Sequence, residues 1–245
     1  MKKITYDVES NLERFHWWFV GRRKLFKVLF SSLDLQNDLR IIDIGCGVGS
    51  NLRLLQSMRS KLVGMDSEMH SLLLTKQNLP AVPLVNGDLM KLPVKADAID
   101  LILASDVLEH LDEDTLGIRE IHRTLKREGK VLFTVPAFRS LWGVQDIVGM
   151  HKRRYSKKEL MTKIEGEGFK ILRSSYFNFF LFFPILIGRR ILSLLGLRIE
   201  SENQINLPLI NFFLKTVFSI EPHYLKYFSF PFGVSIYCIA KKPYG

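Results

Sequence analysis

Short apolar segments alternate with amphipathic segments of helical period from about residue 40 to residue 176. Each apolar segment is followed by glycine, proline or a polar residue, which is typical of a buried strand that ends in a turn. Strands that alternate with helices predict a doubly wound parallel sheet with helices on both faces. We therefore predict an α/β fold for this part of the chain.

Six strands are predicted in the alternating part, and one more lies close to the end of the chain. The seven predicted strands cover residues 41–44, 61–66, 81–85, 98–104, 130–136, 168–173 and 234–240.

Two of the predicted helices carry clear end signals. Asp112 is the predicted N-cap of one helix, which has Lys126 near its C-terminal end and Gly129 to terminate it. Ser156 is predicted to cap a second helix that continues to about Glu165.

The segment after the first predicted strand is rich in glycine. It places Asp43, Gly45, Gly47 and Gly49 at alternate positions, directly before a helix. Glycine adopts positive φ readily and leaves the backbone bare to a ligand, and a helix N-terminus adds a positive dipole end. The spacing differs from the G-x-G-x-x-G pattern of dinucleotide sites. An acidic residue before the first glycine suits a cofactor with a cationic amino-acid end, although an ordinary strand-to-helix loop is the alternative.

A second carboxylate follows the next strand. Asp66 ends the second predicted strand, about one helix and one strand after Gly49. Because the carboxyl ends of parallel strands meet at one edge of a sheet, Asp66 is expected beside the glycine turn, where open α/β sheets bind ligands. A carboxylate at this place can accept hydrogen bonds from both hydroxyls of a ribose.

Together these segments resemble the class I S-adenosylmethionine-dependent methyltransferases, whose motif I matches residues 41–51. The resemblance implies S-adenosylmethionine as the cofactor. It also implies a Rossmann-like seven-stranded sheet, in which the last strand is antiparallel and lies between the fifth and sixth. In this family the first acidic residue helps to hold the methionyl end, a Gly-Asp pair after the third strand meets the adenine, and the loop after the fourth strand lines the adenine and the methyl donor. The cofactor-binding residues expected on these grounds are Arg22, Asp43, Gly45, Cys46, Gly47, Gly49, Asn51, Asp66, Ser67, Gly87, Asp88, Leu89, Ser105, Asp106, Val107 and His110.

Three further motifs resemble a bacterial subgroup of these enzymes. They are His-Trp-Trp-Phe-x-Gly-Arg-Arg at 16–23, His-x-Arg-Arg-Tyr at 151–155 and Pro-Phe-Gly-x-Ser at 231–235. The subgroup is associated loosely with envelope glycolipid and polysaccharide pathways. The resemblance therefore indicates the reaction class more closely than the methyl acceptor.

Charge and composition add a preference for anionic partners. Lys and Arg number 35 against 25 Asp and Glu, a formal net charge of +10, which favours nucleic acid, acidic lipid or a phosphorylated substrate. The length of 245 residues suits one large α/β domain. Cys46 and Cys238 are expected to be reduced, and no His-rich or Cys-rich cluster predicts a metal. The N-terminus lacks the apolar core of a secretion signal, which favours a cytoplasmic location.

Two segments are expected to cover the core. The predicted division is an N-terminal helical cap over 1–38, an S-adenosylmethionine-binding core over 39–176 and 234–245, and an aromatic-rich insertion over 177–233. The N-terminal cap either packs Trp17 and Trp18 on the sheet or closes over the cofactor. In the second case Arg22 or Arg23 would pair with the methionyl carboxylate.

The insertion contains eleven of the 18 phenylalanines. Residues 179–188 are continuously apolar but too few to cross a bilayer core of about 30 Å as a helix, and Arg189 and Arg190 follow them. An aromatic face next to arginines is typical of a helix at an anionic membrane surface. The alternative is a helical cap over the site or a dimer contact. Residues 207–220 repeat the pattern.

Two histidines are the candidate catalytic residues. Methyl transfer from a sulfonium ion mainly requires that the acceptor be positioned and water excluded, but a hydroxyl acceptor also needs a base. His110 follows the fourth strand and His151 the fifth, so both are expected at the carboxyl edge of the sheet. For His110 the alternative is an anchor of its loop, and for His151 a solvated basic turn.

The sequence therefore predicts an S-adenosylmethionine-dependent methyltransferase that acts on an oxygen of an apolar, lipid-linked or glycan-linked small acceptor. The expected location is cytoplasmic, at the inner face of the membrane, with an anionic membrane surface as a partner. A nucleic-acid methyltransferase would explain the charge but not the phenylalanines. A non-catalytic binding module is disfavoured by Asp43, the three glycines and Asp66. No pattern in the sequence indicates an oligomeric state.

Overall fold

A seven-stranded mixed sheet forms the centre of the molecule, and helices cover both of its faces. The computed structural model describes residues 3–33, 35–58, 60–194 and 207–244. Its strands are β1 Leu39–Ile44, β2 Ser60–Asp66, β3 Leu84–Asn86, β4 Ile99–Ser105, β5 Leu125–Pro136, β6 Lys170–Phe177 and β7 Ser235–Lys241.

The strand order is β3-β2-β1-β4-β5-β7-β6. Strands β1 to β5 pair in parallel, and β7 runs antiparallel to both of its neighbours, β5 and β6. The predicted Rossmann-like sheet with an inserted antiparallel last strand is confirmed. Asp43 pairs with Gly64 of β2 and with Leu103 of β4, so the carboxyl ends of these three strands meet at one edge.

The helices fill the connections between the strands. They are α1 Lys3–Leu12, α2 Trp17–Ser31, α3 Ser50–Leu55, α4 Met69–Asn78, α5 Asp114–Thr124, α6 Val144–Gly149, α7 Lys157–Gly166, α8 Phe182–Leu194 and α9 Pro208–Leu225, with short 3-10 turns at Leu108–His110 and Arg139–Leu141.

The two faces of the sheet bury separate apolar clusters because successive side chains of a strand point to opposite sides. In β4, Leu101 and Leu103 pack with residues of α2, α3 and α9, whereas Ile102 and Ala104 pack with residues of α5 and α7. The cluster that contains Ile102 and Ala104 lies under the helices that follow β4 and β5. The cluster that contains Leu101 and Leu103 lies under the N-terminal helices and the insertion.

The predicted helix ends are partly wrong. The helix expected from Asp112 begins at Asp114 and ends at Thr124, and Lys126 and Gly129 belong to β5 instead. Strand β5 starts early because Leu125 already pairs with Ile99 of β4, ahead of an irregularity in the register. The cap at Ser156 is confirmed, since its Oγ accepts a hydrogen bond from the Glu159 backbone N–H at 3.2 Å.

The insertion packs against the N-terminal segment. Phe218 of α9 is fully buried and contacts Trp17 and Trp18 of α2, with ring centroids 6.1 and 5.7 Å apart. The two helices approach so closely that a Cβ on Gly21 would lie 2.2 Å from the Phe218 ring. The Asn211 Oδ1 atom also accepts a hydrogen bond from the Trp17 backbone N–H at 2.7 Å. One face of α9 is therefore a packed contact.

The opposite faces of α8 and α9 are exposed. The exposed apolar side chains of the insertion include Phe183, Ile187, Ile191, Leu209, Phe212, Phe213 and Ile220. Among the described helices, none is both long enough and apolar enough to cross a membrane.

Candidate active site

The glycine turn after β1 has a backbone that other residues adopt only with strain. Gly45 and Gly47 have φ values of +68° and +53°, in the left-handed region that favours glycine. A Cβ on Gly45 would also lie 2.1 Å from Cγ1 of Val107, whereas Gly47 has no atom within 4 Å of that position. The turn is therefore packed tightly at Gly45, whereas at Gly47 there is room for a ligand against the backbone.

Asp66 holds this turn in place. Its Oδ2 accepts a hydrogen bond from the Gly47 backbone N–H and its Oδ1 accepts one from the Glu68 backbone N–H, both at 2.9 Å. Burial raises the pKa of Asp66, and these two hydrogen bonds act in the opposite direction. The carboxylate expected beside the glycine turn is thus bonded to it directly.

Asp43 lies behind the turn and is fully buried. Neither of its carboxylate oxygens has a hydrogen-bond partner among the described residues. Burial raises the pKa of Asp43 to about 8, although the charge of Arg22 acts against this rise. A buried carboxylate without a hydrogen-bond donor is costly to ionise, which agrees with the raised pKa of Asp43.

Two adjoining cavities lie at this edge of the sheet, with volumes of about 250 Å³ and about 190 Å³. Gly45, Gly47, Asp106 and His110 line both of them. Of the other predicted residues, the smaller cavity is lined by Asp66, Ser67, Gly87, Asp88, Leu89 and Val107. The larger one is lined by Arg22, Cys46, Asn51, Ser105 and His151.

The two remaining predicted residues, Asp43 and Gly49, line neither cavity. Fourteen of the sixteen cofactor-binding residues expected from the sequence therefore line one or both of the two cavities.

Arg22 has a carboxylate partner within the protein. Its guanidinium donates a hydrogen bond to Oδ2 of Asp106 and lies over the ring of Phe19, at 5.6 Å from its centroid. Arg23 instead donates to Ser50 Oγ at 2.8 Å and to Glu13, so it ties the N-terminal segment to α3. Of the two arginines, Arg22 is the one that lines the cavity.

His151 is oriented by a carboxylate that sequence reasoning missed. The His151 Nδ1 and Asp146 Oδ1 atoms are 2.8 Å apart, and Arg154 forms hydrogen bonds of 2.7 and 3.0 Å with the same carboxylate. Burial acts to raise the pKa of Asp146, but the His151 and Arg154 contacts lower it to about 2. Asp146 is therefore ionised at neutral pH and fixes the imidazole, with Nε2 as the remaining ring nitrogen.

Glu109, His110 and His151 form a compact cluster in the wall of the larger cavity. The ring centroids of the two histidines are 4.8 Å apart, and Nε2 of His151 is 4.0 Å from Oε1 of Glu109. Burial, together with the charge of His151, lowers the pKa of His110 to about 4, so this imidazole is neutral at pH 7. Both predicted catalytic histidines thus lie at the carboxyl edge and contact each other.

Sequence reasoning also missed further polar residues of the larger cavity, among them Glu9, His16 and Asn178. His16 and Asn178 are buried, and neither side chain has a hydrogen-bond partner among the described residues. His16 stands in the aromatic run at the start of α2, whereas no local signal marks Glu9 or Asn178. These orphaned groups would be satisfied by a polar ligand.

Arg189 connects the insertion to this site. Its guanidinium donates to the Leu141 backbone carbonyl and lies 3.9 Å from Oδ2 of Asp146. Arg189 and Arg190 were both expected to be exposed beside the aromatic face. This is wrong for Arg189, which faces the Asp146 carboxylate, whereas Arg190 is exposed.

The geometry fits a cofactor that is part nucleoside and part amino acid. The smaller cavity offers the Asp66 carboxylate, which suits a ribose, and the larger one offers orphaned polar atoms on His16 and Asn51. The bare backbone at Gly47 lies between them. A ligand that spans both cavities would pass directly over the glycine turn.

Comparisons with known proteins show a similarity of this chain to methyltransferases. Residues 42–133 match the family model described as a methyltransferase domain. The chain is 24% identical over 209 residues to the ubiquinone/menaquinone biosynthesis C-methyltransferase UbiE of Campylobacter jejuni, covering 71% of this chain and 88% of that protein. It is 31% identical over 109 residues to the chloroplastic 2-methyl-6-phytyl-1,4-hydroquinone methyltransferase of Arabidopsis thaliana, covering 43% of this chain and 32% of that protein.

A solved structure has the same fold. Phosphoethanolamine N-methyltransferase 2 of Haemonchus contortus, in complex with S-adenosyl-L-methionine, has a TM-score of 0.59 and 16% identity, covering 90% of this chain and 52% of that one. Residues 42–133 are thus similar to a methyltransferase domain, and the chain has the fold of this methyltransferase. The ligand of that structure, S-adenosyl-L-methionine, is the cofactor predicted from the sequence of this chain.

Proposed function

We propose that the chain transfers the methyl group of S-adenosylmethionine to an oxygen of an apolar small acceptor, whose hydroxyl is activated at the cluster of Glu109, His110 and His151. The single observation that carries this proposal is the position of the cluster. It shares the larger cavity with Asn51 and the glycine turn, where we place the amino-acid end of the cofactor.

The charges of the cavity suit the reaction. A sulfonium donor is already activated, so the main tasks are to orient the acceptor and exclude water. Asp146 fixes the ring of His151 at 2.8 Å, and the ionised Asp146 would stabilise positive charge on that imidazole. As the acceptor oxygen bonds to the methyl carbon, the C–S bond breaks, and the hydroxyl proton leaves through the cluster.

Aromatic and aliphatic side chains support an apolar acceptor. Trp17 and Trp18 of α2 and Ile185 of α8 line the larger cavity, so both covering segments contribute to its wall. By their names, one of the two relatives belongs to ubiquinone/menaquinone biosynthesis and the other is a methyltransferase of a phytylated hydroquinone. One of them is named a C-methyltransferase, so transfer to an activated ring carbon is the alternative for the same kind of acceptor.

The exposed face of the insertion supports an acceptor that resides in a membrane. Phe212 and Phe213 are each 63% exposed, and Phe183 is 57% exposed. Lys215 lies over the ring of Phe212, with Nζ 5.8 Å from its centroid, and so adds a cation to this face. We propose that this surface contacts an anionic membrane and that the acceptor enters the larger cavity from there.

A labelling experiment tests the function. The purified chain is incubated with labelled S-adenosylmethionine and a bacterial lipid extract, and the product is characterised by mass spectrometry and NMR. We expect a labelled lipid-soluble product with a new methoxy group. Replacing His151 with Ala should lower turnover by roughly 10²–10⁴-fold, with cofactor affinity intact.

The matched control is His223→Ala, since His223 is exposed on α9 and lies outside both cavities. It should leave turnover unchanged. A new C-methyl signal would contradict the proposed oxygen acceptor but not the enzyme class. If no extract yields a labelled product although the cofactor binds, methyl transfer to a lipid-soluble acceptor would be refuted.

A further inference from the structure

The cluster of Glu109, His110 and His151 has the composition of a metal site. The geometry points to binding of one divalent transition-metal ion by these three side chains, and we propose this as a property of the chain. Each offers one ligand atom, and these atoms all lie within 4.8 Å of one another. Ligand atoms around a tetrahedral ion at 2.0–2.2 Å are about 3.4 Å apart, so small side-chain movements would close the site.

Glu109 supplies an independent indication. Its side chain is fully buried, and neither carboxylate oxygen has a hydrogen-bond partner among the described residues. Nε2 of His151 lies 4.0 Å from Oε1 of Glu109. A buried carboxylate that makes no hydrogen bond is expensive, and an ion between Glu109 and His151 would satisfy it.

His151 is held as metal-binding histidines usually are. A ligating imidazole commonly donates its other N–H group to a carboxylate, which sets the tautomer and the ring orientation. Here Nδ1 of His151 faces Asp146 at 2.8 Å, and Arg154 in turn holds Asp146. This arrangement leaves Nε2 as the ligand atom. Asp146 is accordingly a positioning residue for the site.

The donor set selects the kind of ion. Two imidazole nitrogens and one carboxylate oxygen suit Zn²⁺ and neighbouring transition metals, whereas Mg²⁺ and Ca²⁺ prefer oxygen ligands. Three protein ligands leave at least one coordination position open to the larger cavity. The sequence predicted no metal because no cluster of metal-ligating residues occurs along the chain. His151 is distant from Glu109 and His110 in the sequence, and only the fold brings the three together.

The role of the ion rests on the proposed function, although its binding does not. An acceptor hydroxyl at the open position would have a lowered pKa and release its proton from the cluster to solvent. The oxygen would then form a bond to the methyl carbon, and the electrons of the broken C–S bond would remain on sulfur, turning the sulfonium into a thioether. His151 would act as a ligand rather than as the base predicted from the sequence.

Binding is tested without cofactor or acceptor. The full chain is treated with a chelator, and Zn²⁺ is titrated in competition with a chromophoric chelator. We expect one equivalent to bind. Glu109→Gln and His151→Ala should each lower the affinity at least about 100-fold, and Asp146→Asn about 10–100-fold. The control variants His122→Ala and His223→Ala, whose histidines lie outside the cavities, should bind as the unmodified chain does.

Co²⁺ gives a second measurement that does not depend on how well the variants fold. The unmodified chain loaded with Co²⁺ should show visible d–d absorption, and Mg²⁺ should not displace the ion. The proposal is overturned if the unmodified chain gives no such spectrum, or if folded Glu109→Gln and His151→Ala bind Zn²⁺ as tightly as the controls. Methyl transfer that survives complete chelation would refute the role of the ion but leave the proposed function standing.

Discussion

Replacement of Asp66 by Ala is the most direct test of the predicted cofactor site at the glycine turn. Asp66 lines the smaller cavity and accepts hydrogen bonds from the backbone N–H groups of Gly47 and Glu68. The variant therefore removes the proposed acceptor for the ribose hydroxyls and the contact that fixes the glycine turn. A hydrogen bond to a charged group contributes about 1.5–3 kcal/mol.

This free energy corresponds to a dissociation constant about 10- to 150-fold higher. Asp66→Asn keeps one oxygen, which retains a single backbone hydrogen bond, and should lose about tenfold. Calorimetric titration with S-adenosylhomocysteine, the demethylated and more stable ligand, measures both losses. The chain should show no affinity for NAD, because its turn lacks the pyrophosphate spacing.

Asp100→Ala is the matched control. Asp100 lies in β4 away from both cavities, where it accepts hydrogen bonds from the Arg40 backbone N–H at 2.9 Å and from Lys126 Nζ at 2.7 Å. It should bind the ligand normally. If Asp66→Ala is folded by circular dichroism and binds within twofold of the unmodified chain, Asp66 is not a ribose acceptor and the reasoning from the strand edge fails.

Three other predictions concern the insertion. Phe218 is buried, so Phe218→Ala should lower the free energy of unfolding by about 3–5 kcal/mol in urea titrations. Phe212 is exposed, so Phe212→Ala should change it by less than about 0.5 kcal/mol. Equal effects of the two variants would show that α9 does not pack as described. The chain should sediment with vesicles that contain acidic lipid, less so at high salt, and replacing Phe212, Phe213 and Phe183 by Ser should abolish this without loss of stability. Failure to sediment with any vesicle would refute the membrane contact. Burial raises the pKa of Glu221 to about 7, so its stabilising contribution is complete below pH 4.5 and is lost as pH rises through 7. Glu221→Gln should flatten this slope in thermal melts across that range, and an unchanged slope would assign it to other groups.

The sheet and the glycine turn could be predicted from the sequence because both are local in origin. Short apolar runs and helical patterns show which segments form strands and helices, and the spacing from Gly49 to Asp66 gives the length of one helix and one strand. Errors arose at element ends. Gly129 looked like a helix terminator, but pairing with neighbouring strands determined the conformation there.

The acceptor side of the site could not be predicted in the same way. Asp146 lies in a six-residue helix with no distinctive pattern, and its contacts to His151 and Arg154 depend on the loop that follows β5. Arg189 was expected to face a membrane because it follows an apolar run. The position of α8 instead directs it to Asp146. The division into cap, core and insertion remains a prediction.

The placement of β7 between β5 and β6 has a consequence for biosynthesis. The ribosome releases β6, Lys170–Phe177, well before β7, Ser235–Lys241, with the whole insertion in between. Until β7 emerges, β5 has an unpaired, apolar edge in the nascent chain, which is the kind of edge that pairs wrongly with other chains. A chain shortened before residue 235 would lose the strand that joins β6 to the rest of the sheet. Nonsense mutations just before residue 235 should therefore give insoluble rather than merely less active protein.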